Sequence, residues 1–172
     1  MNTRPRIKIC CISNWHEAQL AIQYGASALG LVGHMPSGPG VIPDEQILTL
    51  TQATPPGVSS FLLTSETEAE GIEAHYRRTH PSTIQIVDSV SVATYQSLRQ
   101  RLPGVKLVQV VHVVGESSVE QSLRVASEVD AILLDSGNPY AAVKELGGTG
   151  RTHDWGISRQ IVEQVGVPVF LA

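Results

Sequence analysis

VPVFLA, residues 167–172, is a short run apolar on both faces, with the β-branched and aromatic content of a strand. Strands of that kind sit in parallel sheets with helices packed on them. Reading backwards from it, the same alternation recurs. A segment that opens at His153-Asp154-Trp155 and stops at Gly166 has helical character, and AILLDS (131–136) before it is another apolar strand. Strand-like runs fall near 6–12, 27–33, 58–64, 83–88, 106–114, 131–136 and 167–172.

The intervening segments carry helix signals. Asn14 and Glu17 have capping-box spacing, and Gly25 stops the helix that follows. Pro43 suits a first helical position, Ser65 and Glu68 repeat the box, and a helix near 91–101 ends at Pro103-Gly104. Ser117 and Glu120 stand in the same relation again. The sum is (βα)₆β, which implies a parallel sheet covered by helices. No G-x-G-x-x-G follows the first strand, which argues against a dinucleotide-binding sheet. A barrel usually needs ~200 residues or more, and this chain has 172 with no helix after VPVFLA. The expected fold is therefore α/β of the (βα)₈ TIM-barrel type, incomplete. It forms one partial barrel domain over 1–172, cut at the seventh strand. A complete seven-stranded open sheet is the competing architecture.

Bulk properties exclude several classes. The chain is 42% hydrophobic and 16% charged, with net charge −4 and twelve scattered Lys and Arg, so no basic track for nucleic acid is expected. The pairs Arg77-Arg78 and Arg99/Arg101 read as solvated helix faces. No apolar run approaches ~18 residues, so no membrane span is expected. MNTRPRIK lacks the apolar stretch of a signal peptide. A cytoplasmic setting, where thiols stay reduced, is the expectation.

The chain's two cysteines, Cys10 and Cys11, are neighbours in IKICCISN (7–14). Neighbours on a strand point to opposite faces and do not easily bridge, and no second pair at zinc-ligand spacing exists. By parity Lys8 and Cys10 share one face, with Ile7, Ile9 and Cys11 on the other. Cys10 reads either as a small buried hydrophobe or as a base supported by the lysine two residues away. Asp135, closing AILLD, reads as a cap or as a general acid. KELGGTGRTHDW (144–155) is a glycine-rich loop just after it, placed where a lid would be. The six histidines (16, 34, 75, 80, 112, 153) form no HxH or HExxH group and read as surface or core residues.

Several separated stretches, in order, carry a resemblance: KICCIS at the first strand, GASALGLV at the second, LLDS at the sixth, then GGTGRTHDW and PVFLA. Over essentially its whole length the chain resembles phosphoribosylanthranilate isomerase of tryptophan biosynthesis. The resemblance implies a metal-free, cofactor-free Amadori rearrangement of N-(5-phosphoribosyl)anthranilate, a phosphosugar, to 1-(2-carboxyphenylamino)-1-deoxyribulose 5-phosphate. It implies Cys10 as general base and Asp135 as general acid. Lys8, Gln85, Gly147, Gly148, Thr149, Gly150 and Asp154 are the expected substrate-binding residues. Cys11 stands where the family usually has glycine and is expected to pack outward.

Three departures accompany the match. Ser37-Gly38-Pro39-Gly40 replaces the family's S-P-R stretch, with Pro39 in the position of an arginine that contacts substrate. Gln85-Ile86-Val87-Asp88 replaces Q-L-H-G, without the histidine. The family's phosphate loops after strands seven and eight have no counterpart in these residues, so little or no turnover is expected of the 172 residues alone. A paralogous isomerase of another phosphosugar and a non-catalytic phosphometabolite-binding barrel are the alternatives.

Overall fold

The computed structural model describes residues 5–137 and 151–172. Their strands are β1 (Lys8–Ile9), β2 (Ala28–Val32), β3 (Ser59–Thr64), β4 (Thr83–Ile86), β5 (Lys106–His112), β6 (Ala131–Asp135) and β7 (Val169–Leu171). Between them run α1 (Trp15–Gln23), α2 (Asp44–Ala53), α3 (Ala69–Thr79), α4 (Val92–Arg101), α5 (Ser117–Ala126) and α6 (Trp155–Gln164). The strands form one parallel sheet in the order β1-β2-β3-β4-β5-β6-β7, each paired with its neighbour in sequence.

Parity divides the sheet into two faces. Leu29, Leu31 and Leu62 point outward and pack with Ala18 of α1 and Ile47 and Leu50 of α2. Ile84, Ile86, Leu107, Val111, Ile132 and Leu134 do the same beneath the helices from α3 to α6. The alternate positions (Ala28, Phe61, Val108, Val110, Ala131 and Leu133 among them) form a separate inner cluster. Within it the rings of Phe61 on β3 and Phe170 on β7 pack edge to face, their centroids 5.8 Å apart. Those strands are four places apart in the sheet. In a flat sheet, at ~4.8 Å per strand, they would lie roughly 19 Å apart. The sheet is therefore curled into a partial barrel with a packed lumen, and the flat open sheet is ruled out.

The helix starts follow the caps unevenly. Asn14 Oδ1 accepts from Glu17 N at 3.0 Å, but the Glu17 carboxylate reaches Ser13 N, one residue before the position a box requires. Ser91 caps α4 and Asp154 caps α6. Pro43 stands at the cap of α2 rather than inside its first turn. The boxes expected at Ser65 and Ser117 do not form. Ser65 donates instead to His34 O at 2.8 Å, and α3 starts four residues later. Ser117 is already helical, with Glu116 before it in the helical region of the backbone. No helix among the described residues is long and apolar enough to cross a membrane.

One buried polar chain ties α2 and α3 to β3. His75 Nδ1 lies 2.9 Å from Thr64 Oγ1 and Nε2 lies 3.1 Å from Asp44 Oδ1, while Arg78 binds the other oxygen of Asp44. A Cβ on Gly33 would collide with the His75 ring, so only glycine lets the imidazole in. Burial pushes the His75 pKa below its usual value. The Asp44 carboxylate opposes the shift, and Arg78 reinforces it. His75 is thus neutral in the fold, whereas the unfolded chain binds a proton near pH 6.5. Its contribution to stability is full above about pH 6.5 and is lost as pH falls toward the lowered folded value. Urea unfolding between about pH 7.5 and about pH 5.5 should show stability dropping across that window. His75→Gln should remove this component of the slope.

Candidate active site

β1 is shorter than the 6–12 run suggests because Cys11 leaves the extended region, with φ +59°. Up to Cys10 the pleat holds. Lys8 and Cys10 face the lumen, and the Lys8 ammonium donates to Cys10 Sγ at 2.6 Å. The same ammonium lies 5.5 Å from the centroid of the Phe61 ring, whose face attracts a cation. On β2, a Cβ at Gly30 would come within 2.7 Å of Cys10 Sγ. Glycine there leaves room for the thiol.

Cys11 is a different thiol. It does not point out from a strand. Its side chain packs under Gly40, where an added Cβ would meet the Cys11 sulfur at 2.7 Å, and its S–H is directed at Pro39 O, 3.6 Å away. Partial burial pushes its pKa up and neighbouring Cys10 adds to the shift, with Lys8 opposing. Cys11 is held as a thiol, while Cys10 has the cation. Both cysteines are unbridged.

Across the lumen Asp135 ends β6. It is buried, and Oδ1 accepts from Ser136 N at 2.6 Å. Cys10 and Asp135 line the same cavity, of about 260 Å³. Its walls between them are Val32, Met35, Leu63, Val87 and Leu133. Gln85 on β4 also lines it, 3% exposed, and its Oε1 has no hydrogen-bond partner. An orphaned buried acceptor costs about 1–3 kcal/mol, which a donor on a bound molecule would recover.

The structure thus brings Lys8, Cys10, Gln85 and Asp135 to one cavity. Asp154 is elsewhere engaged: its Oδ1 accepts from Gly156 N at 2.7 Å as the cap of α6. Gly147, Gly148, Thr149 and Gly150 lie outside the described residues. Sequence reasoning missed Met35, Ser136 and Arg151, which also line the cavity. Met35 and Ser136 carry no residue-type signal. Arg151 stood inside the GGTGRTHDW motif, as its one strong cation.

No family model matches the chain. N-(5'-phosphoribosyl)anthranilate isomerase 2 of Methanosarcina mazei is 34% identical over 168 residues, spanning 97% of this chain and 74% of that one. The chain belongs to the phosphoribosylanthranilate isomerase family. N-(5'-phosphoribosyl)anthranilate isomerase of Methanocella arvoryzae is 31% identical over 97% of this chain and 76% of its own length. Among solved structures, phosphoribosyl anthranilate isomerase from Thermus thermophilus superposes with a TM-score of 0.79 at 21% identity, covering 97% of this chain and 76% of that chain. A family structure in complex with reduced 1-(o-carboxyphenylamino)-1-deoxyribulose 5-phosphate matches with a TM-score of 0.68 at 24% identity, over 77% of this chain and 65% of that chain. The family thus accounts for the partial barrel and its order of elements.

The Lys8–Cys10 contact makes a prediction about the bare protein. The thiolate is the nucleophile of a cysteine. In a Cys11→Gly background, where glycine suits the backbone at 11, Lys8→Met should slow iodoacetamide alkylation of Cys10 by about tenfold at neutral pH. Mass spectrometry of the β1 peptide reads the rate directly, and an unchanged rate would mean that the ammonium does not support the thiolate.

Proposed function

We propose that this protein catalyses the Amadori rearrangement of N-(5-phosphoribosyl)anthranilate, with Cys10 as general base and Asp135 as general acid. The observation that carries the reading is their placement: a thiol with an ammonium at 2.6 Å and a buried carboxyl line one cavity, from β1 and β6. Each group matches a proton that has to move.

In the first step protonated Asp135 gives its proton to the ring oxygen of the ribose. The C1–O bond breaks, and the nitrogen lone pair forms a protonated Schiff base at C1. Cys10, as the thiolate beside Lys8, then removes the proton from C2. Its electron pair forms the C1–C2 double bond of an enolamine and returns the iminium electrons to nitrogen. Transfer of a proton to C1 and loss of the enol proton give the 2-ketose. Proton transfer by a positioned side chain is worth about 10²–10⁴-fold at each step. The aliphatic walls suit the aromatic ring of the substrate, and the unpartnered Gln85 Oε1 suits a hydroxyl or N–H on it.

Pro39 and Val87, neutral residues lining the cavity, favour one second reading: an isomerase of the same chemistry that takes another phosphosugar. Growth separates the two. The gene should restore growth without tryptophan to a strain lacking the isomerase. An isomerase of a different sugar would not.

The chemistry is tested by single-turnover conversion of N-(5-phosphoribosyl)anthranilate with protein in excess, so that slow chemistry is counted. Cys10→Ala and Asp135→Asn should each lower the rate by about 10²–10⁴-fold. Calorimetric affinity for reduced 1-(o-carboxyphenylamino)-1-deoxyribulose 5-phosphate should change by less than about tenfold, because both groups act on the transition state more than on the ground state. Variants that convert the substrate as fast as wild type, or wild-type protein that does not bind the analogue, would overturn the proposal.

A further inference from the structure

Lys8 Nζ lies 2.6 Å from Cys10 Sγ. An ammonium usually stands about 2.7–2.9 Å from a carboxylate oxygen, so this contact is close even though sulfur is the larger atom. The Phe61 ring, its centroid 5.5 Å from the ammonium, helps to keep the lysine there. Gly30 on β2 leaves the sulfur its place, since a Cβ at 30 would come within 2.7 Å of it. Cys10 is exposed and lines the cavity of about 260 Å³, so a small polar molecule can reach the sulfur from solvent. Thiolate character and access make a cysteine oxidisable, and Cys10 has both a cation and an open approach.

We propose that Lys8 and Cys10 form a redox switch: hydrogen peroxide oxidises Cys10, and Lys8 closes on the oxidised sulfur through a covalent sulfur–nitrogen bond. In the first step the thiolate attacks one peroxide oxygen and the O–O bond breaks. Sulfur gives up two electrons and becomes a sulfenic acid. The hydroxide that leaves takes a proton from the Lys8 ammonium and departs as water. Lys8 is then a neutral amine beside an electrophilic sulfur. In the second step the nitrogen lone pair attacks sulfur and the S–O bond breaks. The hydroxyl leaves with a proton from the amine as a second water, and a sulfenamide remains. Sulfenic acids condense in this way with a nitrogen or a thiol in reach. Cys11 is the poorer partner. Consecutive Cα atoms are about 3.8 Å apart, whereas a disulfide usually spans about 4.4–6.8 Å. The Cys11 sulfur also packs under Gly40, with its S–H directed at Pro39 O. A small thiol reverses the bond: one molecule attacks the sulfur and frees the amine, and a second releases Cys10 and leaves as the small disulfide. The bridge consumes the sulfur and its cation together, so on the isomerase reading the oxidised protein is switched off.

The test treats the full chain with hydrogen peroxide and reads its mass, so it needs no substrate. Wild-type protein should lose two hydrogens, and trypsin should no longer cut after Lys8. Dithiothreitol should restore both the mass and the cleavage. Cys11→Gly should behave in the same way, because its loss of two hydrogens cannot be a disulfide between the neighbours. In Lys8→Arg the guanidinium stays charged and is no nucleophile. Its Cys10 should stop at the sulfenic acid, one oxygen heavier and labelled by dimedone. A mass loss that disappears in Cys11→Gly, a wild-type product that keeps an added oxygen, or no reaction would each overturn the proposal. Should Lys8→Arg fail to fold, the wild-type and Cys11→Gly masses still decide. Turnover of N-(5-phosphoribosyl)anthranilate should fall by about 10²–10⁴-fold with bridging, the loss expected of Cys10→Ala. A bridged protein with full turnover would leave the bridge standing and bring down the role of Cys10 as base.

Discussion

In a parallel sheet whose strands follow chain order, every side chain points either to the lumen or to the helices. A slip of one residue in β1 would send Lys8 and Cys10 into the helix layer and Ile7, Ile9 and Cys11 into the lumen. What prevents the slip is a row of backbone bonds on both sides of Cys10. Ser27 N and Ala28 N donate to Ile7 O, and Ile12 N donates to Gly30 O, bracketing Cys10 between fixed points on β2. The same parity places Gln85, Leu133 and Asp135 inward through the β4–β5 and β5–β6 ladders. Curling of the sheet, fixed by the Phe61–Phe170 contact, turns these separate inward positions into one cavity. The shared placement of these groups is therefore a consequence of register and curvature together, and neither suffices alone.

The two adjacent thiols show how little distance is needed to make unlike groups. Cys10 is the last residue in the pleat and has Lys8 as its partner. One residue on, the chain turns left-handed, a conformation that costs a non-glycine residue about 1–2 kcal/mol. The cost is met locally by the loop after β2. Gly40 has φ +82° and no side chain, so it closes on the Cys11 sulfur. A cysteine at 11 and a glycine at 40 are therefore coupled choices. The sequence Ser37-Gly38-Pro39-Gly40 packs against β1 in place of reaching into the cavity with a charged side chain.

The order of elements and the parallel sheet were legible in the amino-acid sequence because most strands are apolar runs and glycine or proline stands near most helix ends, and the barrel reading rested on the chain's length and the uncovered VPVFLA strand. Lys8 and Cys10 were legible as a pair through period-two alternation, a signal that two residues of extended chain can carry. Cys11 was misread, since nothing in an apolar run announces that its last residue will be left-handed. Capping spacing was a partial guide: Asn14, Ser91 and Asp154 cap their helices, while Ser65 and Ser117 do not. A serine hydroxyl has other bidders, and at Ser65 the carbonyl of His34 wins. Arg151 could not be placed from spacing, because nothing in a glycine-rich motif says which of its side chains lines the cavity with Asp135.

The cavity divides its labour by strand. β1 and β6 bring the groups proposed to exchange protons, and the strands between them bring Val32, Leu63 and the span between Gln85 and Val87. That arrangement couples binding to reactivity. Cys10 is exposed and the Lys8 side chain partly so, and water screens their attraction. Two unit charges 4 Å apart interact by about 1 kcal/mol in water and about 4 kcal/mol at an effective dielectric of 20. A ring seated on the aliphatic walls displaces water from beside the pair and moves it from the first regime toward the second. In the proposed mechanism the Cys10 sulfur is thus best supported by its lysine when the substrate is in place. On that proposal, the apolar surface that takes the ring is also the surface that strengthens the base.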